Sequence, residues 1–323
     1  AATLAVLEAA GARLEIETIE IGEAVYLRGI SAGIEPESWD SLRRTKAFLK
    51  APITTPQGGG FKSLNVTVRK TLGLYANVRP CVAYEPFVAT KHPGMNVVIV
   101  RENEEDLYAG IEHRQTDEVI QCLKLISRPG CERIIRYAFE LAGKRPRRKV
   151  TSVTKSNAQQ YAMTLWDETF ARVARDYPDI ATESILVDAM AAKMVLRPEA
   201  FDVVVGSNLF GDILSDLGGA IAGSLGIAAS TNIDPERRYP SMFEPVHGSA
   251  PDIAGKGIAN PIAAVWSAAL MLEHLGLEDE AARVMRAIAW TTEHGPRTPD
   301  LGGVATTKAV GDAIVGTLER DGA

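Results

Sequence analysis

The stretch Asp202-Val-Val-Val-Gly206, followed within three residues by Leu209-Phe-Gly-Asp-Ile-Leu-Ser-Asp216, decides the fold class. Consecutive β-branched residues with no polar alternation make a short strand buried on both faces. The segment after it has helical spacing, so a strand feeds straight into a helix. The same unit recurs on either side. Asn96-Val-Val-Ile-Val100 is a second buried strand, ending at Arg101-Glu102-Asn103, and Cys131 to Gly143 is helical. The basic connection Lys144-Arg-Pro-Arg-Arg-Lys149 leads to a strand over Val150 to Thr154 and a helix from about Ala158 to Asp176. Pro261 to Leu275 and Lys308 to Arg320 are amphipathic helices, and Ala1 to Ala10 is a helix rich in alanine and leucine. Arg13 to Ile21 alternates polar and apolar residues and is expected to be a strand. Two prolines and three glycines in Lys50-Ala-Pro-Ile-Thr-Thr-Pro-Gln-Gly-Gly-Gly60 forbid regular structure and suggest backbone held close to a ligand. Strands alternating with helices give an α/β protein with a largely parallel sheet.

Composition narrows the function. With 46 % hydrophobic and 24 % charged residues among 323, the chain is an ordinary globular protein large enough for two domains. No apolar run reaches the about 18 residues that a membrane span needs. A net charge of -6 argues against nucleic acid as the main partner, because such partners reward a basic stripe. Three cysteines without CxxC spacing indicate neither a disulfide framework nor a zinc site, so a reducing cytoplasm is expected.

Four constellations carry polar chemistry. Asp212 and Asp216 stand four apart at a helix start, so both carboxylates share one face. Either they favour the positive end of the helix dipole, or they hold a hard divalent cation that offsets their repulsion. Asp188, after the apolar Ile185-Leu-Val187, is a third oxygen donor. Arg69, Arg79 and Arg101 are placed at element ends, as separate surface ion pairs or as a converging site for a polyanion. Ser63 and Asn65 are expected to alternate on an extended stretch and face one way as neutral donors. Tyr108 and Lys155 serve as proton donor and acceptor only where burial or charge moves their pKa, and are otherwise structural. Glu244-Pro-Val-His-Gly-Ser-Ala-Pro-Asp-Ile253 offers loop donors at His247, Gly248 and Ser249 and an acceptor at Asp252, without a GxGxxG fingerprint anywhere in the chain.

In the order in which they occur, these pieces resemble the metal-dependent β-decarboxylating dehydrogenases, the family of isocitrate, isopropylmalate, homoisocitrate, tartrate and D-malate dehydrogenases. The resemblance runs from Leu4 to the end. It rests on Leu74-Tyr-Ala-Asn-Val-Arg-Pro80, Val100-Arg-Glu-Asn103, Asn208 to Asp216, and Glu244 to Gly255. It implies the isocitrate/isopropylmalate dehydrogenase-like fold: a mixed, largely parallel sheet and two domains around an active-site cleft. Residues 1–74 with 224–323 would form the large cofactor-binding domain, and 75–223 the small one with substrate, metal and dimer contacts.

The resemblance also implies roles. Asp212 and Asp216 would bind Mg²⁺ or Mn²⁺, with Asp188 supplied by a partner subunit. Arg69, Arg79 and Arg101 would clamp substrate, Tyr108 would act as the acid, and Lys155 as a base reaching across a homodimer. Thr54 to Asn65 followed by Arg69, and Glu102 to Glu112, are similar to the isocitrate branch, where the serine and asparagine take the extra carboxylate. Thr154-Lys-Ser-Asn157, Trp166-Asp-Glu168 and Asp234 to Arg238 are similar to tartrate and D-malate enzymes, and Gly295 to Gly303 to homoisocitrate and isopropylmalate enzymes. Isocitrate is therefore the expected substrate. The alternatives are tartrate/D-malate or homoisocitrate and, in another class, a non-catalytic regulatory subunit, which would have lost part of the metal set or the Tyr/Lys pair. Asp252-Ile253 stands where NADP-dependent relatives often carry Lys-Tyr, so NAD is the expected cofactor. Gly248, Ser249, Ala250 and Asn260 would complete the adenosine loop after His247, and Lys50, Thr54 and Thr55 would flank the nicotinamide. Family members open with a strand and a glycine-rich turn ahead of the position of Ala1. That implies either a chain continuing before Ala1 or a shortened variant with an exposed sheet edge.

Overall fold

The computed structural model describes residues 1–54, 63–83 and 88–321. In chain order the elements are α1 (Ala2–Ala9), α2 (Glu23–Leu27), α3 (Pro36–Arg44), β1 (Ala47–Leu49), α4 (Leu64–Thr71), β2 (Ala76–Val82) and β3 (Asn96–Glu102). A two-stranded arm, β4 (Glu112–Arg114) and β5 (Ile120–Cys122), precedes α5 (Arg128–Gly143), β6 (Lys149–Thr154), α6 (Ala162–Ala174), β7 (Ala181–Leu186) and α7 (Val187–Leu196). Then come β8 (Val203–Gly206), α8 (Asn208–Ala222), β9 (Ala229–Ile233), β10 (Ser241–Pro245), α9 (Ile262–His274), α10 (Glu278–His294) and α11 (Thr307–Asp321).

One sheet runs β1-β10-β9-β2-β3-β8-β6-β7. The pairs β1/β10, β3/β8, β8/β6 and β6/β7 are parallel, and β10/β9, β9/β2 and β2/β3 antiparallel. The mixed, largely parallel α/β sheet expected from the sequence is the one observed. Val203, Val204 and Val205 are fully buried because α5 and α8 pack against this part of the sheet. Pro80 lies inside β2, where it has no N–H to give. The pairing with β9 stops at Val78, so the lost donor is on the open side of the strand.

Buried apolar side chains form three clusters. One draws on Tyr75 to Ala222, a second on Val6 to Ala10 and Ile227 to Leu318 together with Val88, and a third on Tyr26 to Leu74 with Met242. Two sequence expectations fail. Residues 13–20 form no strand; only Ile21 bridges, to Ile34. Alternation gives a pleat, but a ladder also needs a neighbour with free backbone groups, and 13–20 finds none among the described residues. Ser63 and Asn65 are not extended: Ser63 precedes α4 and Asn65 lies in its first turn. Leu64, Val68 and Leu72, at i, i+4 and i+8, are buried at 1 % exposure or less, and that apolar stripe fixes the helix.

Candidate active site

Strand β3 ends and helix α8 begins at the same end of the sheet, and their first polar residues meet. Arg101 Nη1 donates to Asp212 Oδ1, and its Nε donates to Asn208 Oδ1 at 2.9 Å. The approach depends on Gly211: a Cβ there would sit 2.6 Å from the Arg101 Cβ. From β2, Arg79 Nη1 reaches Asp212 Oδ1 at 3.2 Å, Asp216 Oδ1 at 3.3 Å and Ser215 Oγ at 2.6 Å. Arg79 is therefore in mid-strand and not at an element end as its neighbour Pro80 suggested; the strand accepts both because the proline is on its open side. Tyr108, in the short 3₁₀ turn Leu107–Ala109, donates its hydroxyl to Asp212 Oδ2 at 2.6 Å. Asp212 thus receives two guanidiniums and one phenol.

A cavity of about 210 Å³ opens beside this cluster, lined by Lys50, Asn65, Arg69, Arg79, Arg101, Tyr108, Asp212, Glu244, His247 and Gly248 among others. Its lining residues Arg69, Glu244 and Lys50 belong to a buried polar chain. Arg69 donates to Asn103 Oδ1 at 2.7 Å, and Asn103 and Asn77 both donate to Asn232 Oδ1, at 2.9 and 2.6 Å. Asn232 in turn donates to Glu244 Oε1 at 3.0 Å, and Lys50 Nζ pairs with Glu244 Oε2 at 2.7 Å. Among the described residues two lining groups have no partner, Arg79 Nε and Asn65 Oδ1. An unpaired buried donor is costly unless a ligand satisfies it.

Electrostatics follows from this geometry. Burial pushes the Asp212 carboxyl up, but Arg101 and Arg79 outweigh it and hold it below its ordinary value. Asp216 goes the other way, raised by burial and by the like charge of Asp212. Burial among other arginines brings Arg101 down to about 10. Burial and the bond to Asp212 raise Tyr108, which keeps its proton through neutral pH. Burial raises Glu244, yet Lys50 and Arg69 more than offset it and leave it lowered. Among the described residues the cluster counts four cations, Lys50, Arg69, Arg79 and Arg101, against Asp212, Asp216 and Glu244. One positive charge is left over. A divalent cation would make it three, the charge that a tricarboxylate carries.

The model of the family described as isocitrate/isopropylmalate dehydrogenase matches residues 1–314. The chain belongs to that family. Among curated relatives, the protein called isocitrate dehydrogenase [NADP] in Rickettsia bellii is 51 % identical over 300 residues, 93 % of this chain and 62 % of that protein. A probable tartrate dehydrogenase/decarboxylase of Agrobacterium vitis is 45 % identical over 98 % of this chain and 92 % of its own length. Isocitrate dehydrogenase from Methylococcus capsulatus superposes with a TM-score of 0.93 at 44 % identity, covering 98 % of this chain and 94 % of that one. The TT0538 protein from Thermus thermophilus gives 0.94 at 46 % identity, with 98 % and 64 % covered. The chain spans 62 % of the length of the rickettsial relatives.

Within this family member the expected residues divide into three groups. Arg69, Arg79, Arg101, Asn65, Tyr108, Asp212, Lys50, His247 and Gly248 share the cavity, and Asp216 joins through Arg79. Ser63 is exposed and does not line the cavity. Lys155 and Asp188 do not line it either; Lys155 Nζ pairs with Asp188 Oδ1 at 2.7 Å, and that bond lowers the Asp188 pKa. Thr54 donates to Ser249 Oγ at 2.7 Å, which ties the 50s segment to the 247–253 loop, whereas Thr55 lies outside the described residues. Ala250 sits at φ 43°, Asp252 is exposed and Ile253 half-buried. Asn260 donates to Asp300 Oδ2 at 3.0 Å and accepts from the Ile262 N–H. Sequence reasoning missed Asn77, Asn103 and Asn232 as a network. The available signal was an asparagine inside each of two apolar strands and one straight after a third.

Glu102, next to Arg101, is buried and accepts the N–H groups of Glu104 and Glu105 at 2.9 and 2.8 Å. Burial nonetheless pushes its carboxyl up to about 7. A folded value above the unfolded one stabilises fully below the unfolded pKa, and that contribution is lost as pH rises through about 7. Glu102→Gln removes the titration. Between pH 5 and 8 the fall in unfolding free energy should then shrink by about 2–3 kcal/mol. Urea titrations of both proteins at the two pH values check this, and parallel profiles would refute it.

Proposed function

We propose that this chain oxidises and decarboxylates a 2-hydroxy polycarboxylate, isocitrate foremost, with reduction of NAD. The observation that carries the proposal is the buried trio Arg69, Arg79 and Arg101 around one cavity, with Arg79 Nε unpaired among the described residues. Guanidinium forks match carboxylates, and a surplus of positive charge around a cavity selects a polyanion. Asp212 and Asp216, hard oxygen donors on one helical face, fit Mg²⁺ or Mn²⁺, with Asp188 of a second copy as third carboxylate. A polyacid held by Arg79 and Arg101 would free Asp212 oxygens for that cation. A metal held by these carboxylates would supply Lewis acidity toward the substrate hydroxyl, and the nicotinamide would supply the hydride acceptor. The residues do the rest. The arginines orient the carboxylates, Lys155 takes the hydroxyl proton, and the Tyr108 hydroxyl returns a proton to carbon after CO₂ leaves.

Lys155 and Asp188, paired outside the cavity, support a site completed by a second copy and hence a homodimer. Exposed apolar residues support it as well: Ile213 on α8, Val195 and Leu196 on α7, and Ile120 and Leu123 on the β4–β5 arm. The three core clusters support a large domain of 1–74 with 224–323 and a small one of 75–223, with Val88 packing across the division.

For the distal carboxylate we assign Asn65, which lines the cavity. Asn65→Leu should raise the isocitrate KM about tenfold or more, since a bond to a charged group is worth roughly 1.5–3 kcal/mol. Steady-state kinetics with isocitrate test this; an unchanged KM would move tartrate or D-malate ahead.

NAD rests on Asp252, whose charge would face a 2′-phosphate. Exposure weakens the repulsion from about 4 kcal/mol at 4 Å and dielectric 20 toward about 1 in water, so a preference of about tenfold is expected. The rickettsial relatives carry NADP in their names, and the competing reading is NADP held by Lys256, exposed and without a side-chain partner among the described residues. The ratio of kcat/KM for the two cofactors decides. Asp252→Lys with Ile253→Tyr should reverse an NAD preference, whereas Lys256→Ala should cut NADP use only if the second reading holds.

A further inference from the structure

Asp106 is fully buried, and its backbone stands at φ 67°, ψ −149°, a region that suits glycine. An aspartate persists there only where its side chain is needed, and three donors from three segments converge on it. Oδ1 accepts the Leu107 N–H at 2.8 Å, opening the turn that carries Tyr108. Oδ2 accepts the Leu209 N–H at 3.0 Å, in the first turn of α8, the helix of Asp212 and Asp216. Oδ2 also pairs with Lys124 Nζ at 2.7 Å, just past β5. Lys124 is held in turn by Ser207 Oγ at 3.1 Å and lies 4.3 Å over the Phe210 ring. The Asp106 N–H donates to Leu125 O at 2.8 Å, which fastens the arm a second time.

We propose that Asp106 is a positioning residue: one carboxylate locks the Tyr108 turn, the start of α8 and the Lys124 segment together, and so keeps the Tyr108 hydroxyl on Asp212. This deepens the proposed function, because it rests on Tyr108 as proton donor. The geometry leaves Tyr108 little else. Besides that hydroxyl bond, Lys70 Nζ donates to its carbonyl at 2.8 Å and the Arg101 guanidinium lies 5.0 Å from its ring centre. Without the lock the turn is free to slide along α8, and a displacement near 1 Å costs about a hundredfold in rate.

The test uses Asp106→Asn, which keeps the size and the backbone demand of aspartate but removes the charge, and Asp106→Gly, which takes the backbone without strain but has no side chain. With isocitrate, NAD and Mn²⁺, both should lower kcat about 10- to 100-fold with KM little changed. The decisive comparison is a cycle with Tyr108→Phe. A residue acting through Tyr108 adds nothing once the hydroxyl is gone, so the double variants should be no slower than Tyr108→Phe alone. Multiplying effects would overturn the inference. A second readout needs no turnover: with 3-fluorotyrosine incorporated, the ¹⁹F line lost in Tyr108→Phe should move in both Asp106 variants. An unmoved line also overturns it. Full activity in Tyr108→Phe would instead remove Tyr108 as proton donor, and the ¹⁹F line would still decide whether Asp106 holds it.

Discussion

Asp212→Asn is expected to remove metal-dependent turnover, lowering kcat/KM by about 10²–10³-fold or more, the scale of losing a group that stabilises developing charge. The position is the hub of the cavity: Arg79, Arg101 and Tyr108 all end on its two oxygens. Asparagine keeps the volume and removes the charge. Mn²⁺ loses a carboxylate, and three buried guanidiniums are left facing one another with less counter-charge. Breaking a fully buried pair costs about 3–5 kcal/mol, but the Asp212 side chain is 32 % exposed, so a loss near 1–2 kcal/mol is expected. Against a typical stability of about 5–15 kcal/mol the fold persists. Thermal unfolding, Mn²⁺ binding and kinetics on one preparation separate the two effects. Wild-type activity with unchanged Mn²⁺ affinity would refute the metal assignment.

Lys155→Met and Tyr108→Phe should each lower turnover by about 10²–10⁴-fold, the range for loss of a general acid or base. Mixed and allowed to reassort, the two dead proteins should regain activity. In a mixed dimer both lesions fall in one site and leave the other intact, so random pairing restores about a quarter of full activity. If Lys155 and Tyr108 of the same chain served one site, every site in the mixture would carry a lesion and nothing would return. Lys155 pairs with Asp188 away from the cavity. Both would therefore come from the partner together. No recovery in a mixed dimer verified by mass would count against the shared site.

What could be read in the sequence follows from how each part is encoded. β8, β3 and the start of α8 were legible because a buried strand must be apolar throughout and a helix after it changes period. Asp212, Asp216, Arg79 and Arg101 stood out as charges beside such runs. Residues that meet only through tertiary structure were not legible. Asn77, Asn103 and Asn232 lie far apart in sequence and join because β2 lies between β3 and β9. Asp106 looks like one more acid in Glu104-Glu-Asp106 until its backbone angle and its three donors are seen. Arg13 to Ile21 had the pattern of a strand, but pattern alone supplies no partner for its backbone. Ser63 and Asn65 were misplaced because polar residues after a glycine run hid the stripe Leu64, Val68 and Leu72.

An assay of reduced nicotinamide formation tests the proposed reaction itself. The purified chain, with Mn²⁺ and either NAD or NADP, is offered isocitrate, homoisocitrate, tartrate and D-malate in turn, and absorbance is followed at saturating cofactor. The highest kcat/KM is expected for isocitrate, with activity abolished by EDTA and restored by Mn²⁺. Faster turnover of tartrate or D-malate, or no metal-dependent turnover of any of the four, would contradict it.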